Sequence, residues 1–178
     1  SCNRQSGSQE LYIGSSNVRH GIGDESKGKL RMRILILNGP NLNVLGARDK
    51  SHYGDKTLDD VLTDVKDTAD RLGVDIDHFQ SNHEGKLIDY IQQESGNSDG
   101  IVINGGALTH YGLSVKDALT DAKLPVVEIH ISNIHSREKY RQHSVVEYLA
   151  VGQIAGLGWR GYSLALESIV EHIRSIES

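Results

Sequence analysis

The chain has 178 residues, enough for one domain with a hydrophobic core, and no apolar run is long enough for a membrane helix. Its net charge of −5 argues against wholesale binding of nucleic acid. The single cysteine, Cys2, can form no internal disulfide, which favours a reducing, cytoplasmic location.

Residues 1–31 are rich in Ser, Gly and Asn and show no sustained hydrophobic period. We predict a disordered leader or a remnant of cloning, with Met32 as the natural start; a targeting segment is the alternative. From Met32 onward, 14 Lys and Arg oppose 21 Asp and Glu. A binding site for an anion in this part would therefore need a local group of basic residues.

Short β-rich runs alternate with amphipathic segments from residue 33 onward. The runs predict strands over residues 34–37, 74–79, 100–103, 126–131 and 150–155. Apolar residues spaced by three and four predict helices over 58–72, 84–94, 115–122 and 162–176, with Gly73 ending the first. This alternation indicates an α/β class: a single-domain, flavodoxin-like five-stranded parallel sheet with helices on both faces. A (β/α)₈ barrel needs about 250 residues and is excluded.

Polar residues follow each of the first four predicted strands, where a parallel sheet gathers its ligand-binding loops. The groups are residues 38–43, residues 80–85, residues 104–110 and residues 130–137, with Arg141 one turn further. Each combines Asn, His, Ser or Arg, and the first three also contain glycines. Single Asn-Gly or Gly-Gly pairs are ordinary turn material, but four such groups at one edge predict a site.

These residue types suit the removal of a proton beside a ketone and the loss of a hydroxyl as water. His130 could serve as the acid, and Glu128 points to the same face of the strand, where it would fix the tautomer of the imidazole. Tyr53 is an unusual base, because its ordinary pKa is about 10, and Arg48 on the same loop would favour the phenolate. Asn104 and Ser132 could donate hydrogen bonds to a carboxylate, and His110 and Arg141 could bind ring hydroxyls.

At these residues the sequence resembles the type II 3-dehydroquinate dehydratases, from Met32 nearly to the C-terminus. The resemblance is carried by Asn-Gly-Pro-Asn-Leu at 38–42, followed by Arg48 and Tyr53 in the next loop. It continues with Glu-x-His-Ile-Ser-Asn-x-His-x-Arg-Glu from Glu128, and with Gly-Leu-Gly-x-x-Gly-Tyr ending at Tyr162. Residues 32–178 would then form the catalytic domain.

The resemblance implies dehydration of 3-dehydroquinate by anti elimination through an enolate, with no metal, cofactor or Schiff base. Tyr53 would be the base, Arg48 its partner on a closing loop, and Asn41 a stabiliser of the enolate. His130 would be the acid, oriented by Glu128. The substrate would be bound through its carboxylate and ring hydroxyls by Asn104, Ile131, Ser132, His110 and Arg141. The family assembles as a dodecamer built from trimers, in which Asp117 would reach a neighbouring subunit's site.

Two departures and several alternatives accompany this interpretation. The loop reads Arg48-Asp49-Lys50 where the family usually has Arg-Glu-Pro, and Gly105-Gly106-Ala107 replaces a loop that often begins with Pro or Ala. Arg137 could order its own loop or contact Glu128 instead of substrate. A flavodoxin-like module that binds phosphate or nucleotide is the rival function, but the chain lacks both glycine-rich phosphate motifs. A degenerate family member, and a role in quinate breakdown instead of aromatic biosynthesis, also stay open.

Overall fold

Five parallel strands form one sheet in the order β2-β1-β3-β4-β5, in a computed structural model that describes residues 31–47 and 55–178. The strands are β1 (Arg33–Asn38), β2 (Asp75–Gln80), β3 (Gly100–Asn104), β4 (Val126–His130) and β5 (Gly152–Ala155). Every neighbouring pair is parallel. This is the flavodoxin-like order, so the predicted fold class is confirmed. The predicted leader, except for Arg31, lies outside the described residues.

Four helices cover the sheet: α1 (Leu58–Leu72), α2 (Glu84–Glu94), α3 (Leu113–Ala122) and α4 (Arg160–Glu177). The start of α1 is a capping box, in which Thr57 accepts from the amide of Asp60 and the Asp60 carboxylate accepts from the amide of Thr57. The helix ends at Gly73, whose φ of 71° is the left-handed conformation that glycine adopts without strain. The predicted end of this helix is thus confirmed.

The apolar side chains of the strands form a core on each face of the sheet. On one face, Ile34 and Ile36 of β1 pack with residues of α1 and α4, including Val65 and Leu166. On the other face, alternate strand residues pack with α2 and α3, with Leu35 and Leu37 at the centre. The three central strands, β1, β3 and β4, are buried on both sides, which is why they read as mostly apolar runs in the sequence.

The predicted strands differ from the structure by one or two residues at their ends, and two of these differences concern the strands next to the site. The fourth was predicted to reach Ile131, but the ladder stops at His130, and the fifth begins at Gly152 instead of residue 150. The loop between β5 and α4 explains the first difference, because the amides of Gly156 and Gly158 bond to the carbonyls of His130 and Ile131. His130 and Ile131 therefore mark the point where β4 opens into the site.

None of the described helices combines the length and the apolar character that crossing a membrane would require.

Candidate active site

A pocket lies at the carboxyl ends of β1, β3 and β4, where the polar groups were predicted to meet. Nine of the predicted site residues are in the described part of the chain, and seven of these line the pocket: Asn41, Asn104, His110, His130, Ile131, Ser132 and Arg141. The wall is completed by Pro40, Leu42, Gly106, Ala107, Ile134 and Arg137. The sheet register explains this meeting, because Asn38 of β1 lies beside Asn104 of β3, and β4 pairs with β3 in turn.

His130 and Glu128 form a buried pair behind this pocket. Nε2 of His130 lies 3.0 Å from Oε1 of Glu128, the His130 side chain is 5% exposed and Glu128 is fully buried. A carboxylate can only accept, so the proton between them belongs to Nε2, and Nδ1 is the ring nitrogen left for a ligand. The predicted contact between Glu128 and the imidazole is present.

Two further side chains, neither of them predicted, hold the carboxylate of Glu128. The hydroxyl of Ser144 lies 2.8 and 3.0 Å from its two oxygens, and Nε2 of Gln153 lies 2.7 Å from Oε2. Burial alone would raise the pKa of Glu128, but His130, Ser144 and Gln153 together lower it below its ordinary value. Glu128 is therefore an ionised carboxylate inside the protein.

Basic side chains line the pocket, although the chain as a whole is acidic. Arg137 and Arg141 both border it, together with His110 and His130, and no acidic side chain is among its described lining residues. Arg137 donates to the hydroxyl of Ser132 at 3.5 Å and pairs with Glu138, so it orders its own loop, one of the two roles weighed for it. The local group of basic residues that an anion would need is present here.

His110 is held in one tautomer by the backbone. Its Nδ1 lies 2.8 Å from the carbonyl oxygen of His143, which can only accept, so Nδ1 carries the proton. Burial lowers the pKa of His110, and the nearby charges of His130 and Arg141 lower it further, against the bond to His143. The neutral imidazole can then accept a hydrogen bond at Nε2, which suits a hydroxyl group.

The loop after β2 positions Asn41 without lining the pocket itself. Asn41 has a φ of 67°, which is left-handed and which asparagine tolerates better than most residues. Its amide donates to Oδ1 of Asn82 at 2.8 Å, and Gln80 donates to the carbonyl of Gly39 at 3.2 Å. The polar residues after β2 (80–85) therefore hold the loop after β1 (38–43) in place.

Asn104 belongs to a buried chain of hydrogen bonds. Its Nδ2 donates to the hydroxyl of Tyr162 at 2.8 Å, which in turn donates to Oδ1 of Asn38 at 2.5 Å. Its Oδ1 accepts from the amide of Gly106 at 3.1 Å. Burial raises the pKa of Tyr162, so the phenol stays protonated and keeps this donor. The donor that Asn104 has left for a ligand such as a carboxylate is therefore its second Nδ2–H.

The loops after β1 and β3 touch through their backbones. A Cβ atom on Gly39 would lie 2.2 Å from the carbonyl oxygen of Gly105, and the amide of Gly39 donates to Asn104 O at 2.8 Å. Only glycine at position 39 permits this approach. The contact fixes the neighbouring Pro40 and Gly106 in the pocket wall.

Comparison with known proteins gives the family. The model of the family described as dehydroquinase class II matches residues 32–170. The chain belongs to this family. The 3-dehydroquinate dehydratase of Roseiflexus castenholzii is 53% identical over 76% of this chain and 87% of its own length. That of Halothermothrix orenii is 49% identical over 80% and 96%.

Solved structures of the family agree with the fold. The type II dehydroquinase of Butyrivibrio crossotus superposes with a TM-score of 0.76 at 42% identity, covering 78% of this chain and 97% of its own. That of Propionibacterium acnes gives 0.75 at 40% identity, covering 79% and 99%. The family expected from the sequence motifs is confirmed, and with it the expectation that the chain is an enzyme.

Two of the described site residues predicted from the sequence, Glu128 and Asp117, do not line the pocket. Glu128 lies behind His130, as its orienting role requires, and Asp117 is exposed on α3. Arg48 and Tyr53 lie outside the described residues. Within residues 31–47 and 55–178, no group of three or more His, Cys, Asp or Glu is arranged to hold a metal ion.

Proposed function

We propose that the chain converts 3-dehydroquinate to 3-dehydroshikimate and water by anti elimination through an enolate. The buried pair of Glu128 and His130, opening on a basic pocket in a member of the dehydroquinase class II family, carries this proposal. The substrate is a carboxylate anion with ring hydroxyls, and the pocket offers two guanidinium groups and a neutral imidazole to such a molecule.

The first step removes a proton from the carbon beside the ketone. Tyr53, as its phenolate, takes the proton, with Arg48 favouring the charged oxygen. The electron pair of the broken C–H bond moves onto the ketone oxygen and forms an enolate. Asn41, at the pocket wall, stabilises that oxygen.

The second step expels the β-hydroxyl as water. The enolate electrons return to form the C=C bond, the C–O bond breaks, and His130 gives a proton to the departing oxygen. The acid must be an imidazolium for this, and the carboxylate of Glu128 lies 3.0 Å from Nε2, where it can accept the hydrogen bond of that cation. Nδ1 then donates the proton, and the ring stays bonded to Glu128.

The binding groups follow from the chemistry of the substrate. The hydroxyl that leaves and the carboxylate are on the same ring carbon, so the acid and the carboxylate site must adjoin. Ile131 and Ser132 follow His130 directly and line the same pocket, and they hold the carboxylate with the remaining N–H of Asn104. His110 and Arg141 bind the ring hydroxyls.

The test is the ultraviolet absorbance of the protein mixed with 3-dehydroquinate, with and without prior borohydride treatment in the presence of substrate. A conjugated enone that appears at equal rates in both samples supports the proposal. Inactivation that needs both borohydride and substrate would indicate an imine route. No absorbance change with folded protein would favour the binding module or the degenerate member.

The base assignment is tested by Tyr53→Phe, with Tyr148→Phe at an exposed tyrosine as its matched control. Tyr53→Phe is expected to abolish turnover while substrate binding stays near normal, and the control to behave as the wild-type. A Tyr53→Phe protein with near-normal rate would remove Tyr53 as the base.

We also propose how the enzyme assembles and where it is located. We propose a homo-oligomer, a dodecamer built from trimers, in which Asp117 of one chain completes a neighbour's site; its exposure on α3 is compatible with this. Light scattering of the purified protein measures the mass. A cytoplasmic enzyme without metal or cofactor remains the prediction, in biosynthesis or in quinate breakdown.

A further inference from the structure

The carboxylate of Glu128 is surrounded by hydrogen-bond donors that fix its charge state and its direction. Each oxygen accepts from protein groups: Oε1 from Nε2 of His130 and the Ser144 hydroxyl, and Oε2 from Nε2 of Gln153. A protonated Glu128 would need an acceptor for its own O–H. The three side chains that touch it all present donors.

Ser144 is held so that its proton points only at Glu128. Its oxygen accepts from the amides of Val146 at 3.0 Å and Glu147 at 3.2 Å. A hydroxyl has two lone pairs and one proton, so both lone pairs are used and the proton is left for the carboxylate. Ser144 is fully buried, and this geometry is set by the backbone of residues 144–147.

The segment that carries Ser144 also contacts the loop after β3. The carbonyl of His143 bonds to Nδ1 of His110, and the amide of Val145 donates to the carbonyl of Thr109 at 2.8 Å. On the other side, Gln153 is the direct partner of Glu128 in the pairing of β4 with β5. Two segments that do not line the pocket therefore meet at one carboxylate.

We propose that Ser144 and Gln153 are positioning residues for the acid, which clamp Glu128 against Nε2 of His130 and so hold Nδ1 toward the pocket. This inference rests on the proposed function for its catalytic readout. It assigns the two residues no contact with substrate. Their effect falls on the step in which His130 gives its proton, and substrate binding is left nearly unchanged.

The experiment compares Ser144→Ala and Gln153→Met with the wild-type enzyme. Thr68→Val is the matched control, because it deletes one buried hydroxyl that bonds only within α1. We expect kcat per folded protein to fall about ten-fold in both test variants, a part of the 10²–10⁴ that acid–base catalysis supplies, with KM within about two-fold. Gln153 is half-buried on an edge strand, so Gln153→Met decides the matter if Ser144→Ala does not fold.

A second readout does not depend on turnover. The titration of Glu128 is followed by ¹³C NMR of its carboxyl carbon, and its midpoint is expected to rise by about one pH unit in each variant. His130 is the titratable group that touches Glu128 in the described chain; His110 interacts with it at longer range, and Arg141 acts on His110.

The outcomes separate this proposal from the proposed function. If wild-type protein gives no enone, the function fails, and the NMR midpoints alone decide the role of Ser144 and Gln153. Unchanged kcat, or a raised KM with kcat retained, would overturn the positioning role. So would a Glu128 midpoint equal to that of the wild-type and of Thr68→Val.

Discussion

The two ends of the sheet hold carboxylates in opposite ways. At the carboxyl end, Glu128 is fully buried and bonded to one histidine and two neutral side chains. At the amino end, Arg33 bridges Asp77 and Glu94, and these three side chains are 26%, 43% and 18% exposed. The first arrangement fixes one charge in one place, whereas the second shares charge among groups that water also reaches.

The difference teaches where electrostatic energy is concentrated in this protein. An ion pair that water reaches contributes little, because solvent and salt screen it. A buried carboxylate cannot be screened, so it needs every one of its partners, and losing one leaves a charge or a donor unsatisfied. The carboxyl end should therefore respond strongly to single substitutions and the amino end weakly.

The largest effect is expected for His130→Ala, which removes the proposed acid and the imidazole that donates to Glu128. Dehydration should fall by a factor of about 10² to 10⁴. Exchange of the substrate α-proton with solvent, followed by NMR in D₂O, should persist, because the first step does not need this acid. A variant that still produces enone at the normal rate would refute the assignment.

Next comes Tyr162→Phe, which removes the hydroxyl that joins Asn38 to Asn104 in the core. Two buried amides lose a partner, so unfolding in urea should show a loss of about 1–3 kcal/mol. Tyr148→Phe, at a tyrosine that is 81% exposed, is the control and should change stability little. Equal stabilities for the two variants would mean that the buried chain of hydrogen bonds is dispensable.

The third effect depends on pH. The folded pKa of Glu128 is below its ordinary 4.5, so ionisation of Glu128 stabilises the fold above about that pH. This contribution is lost as the pH falls through the folded pKa. Urea unfolding of the wild-type and Glu128→Gln should therefore show a stability difference that is largest at neutral pH and shrinks below 4.5. A difference that is constant from pH 7 to about 3 would mean that folding does not shift the pKa of Glu128, and a wild-type that gains stability relative to Glu128→Gln as the pH falls would mean that the folded pKa is raised.

The smallest effect is expected at the amino end. Arg33→Gln should cost about 1 kcal/mol or less, and about 1 M NaCl should remove most of the difference from the wild-type. Tyr162→Phe, whose interactions are buried and uncharged, should show the same loss at both salt concentrations. An Arg33 effect as large and as salt-independent as that of Tyr162 would remove the contrast between the two ends.

The fold could be predicted from the sequence because its signals are local and periodic. Short β-rich runs indicated the five strands, apolar spacing of three and four indicated the helices, and Gly73 marked the end of α1. The strand ends were wrong by one or two residues, and at the end of β4 a tertiary contact with the loop after β5 decides where pairing stops. No local pattern records that contact.

The pocket could be predicted in outline, because polar residues after parallel strands must meet at one edge. The side chains that hold the site residues in position could not be predicted. Ser144 is in an irregular segment, Gln153 faces Glu128 only through the register of β5, and Tyr162 has the apolar spacing of a core residue. The hydrogen bonds of the Asn104 side chain to Tyr162 and Gly106 also depend on tertiary structure and could not be predicted, and they reduce the number of hydrogen bonds that Asn104 can make to a substrate.

The backbone contact between Gly39 and Gly105 has a consequence for reshaping the enzyme. The contact that holds Pro40 and Gly106 in the pocket wall is made by main chain alone, so it has no rotamers through which it could adapt to a different molecule. Selection for a bulkier or differently shaped substrate would have to act elsewhere, on side chains such as Leu42 and Ile134. Libraries aimed at new specificity should vary the rim and leave the two glycines untouched.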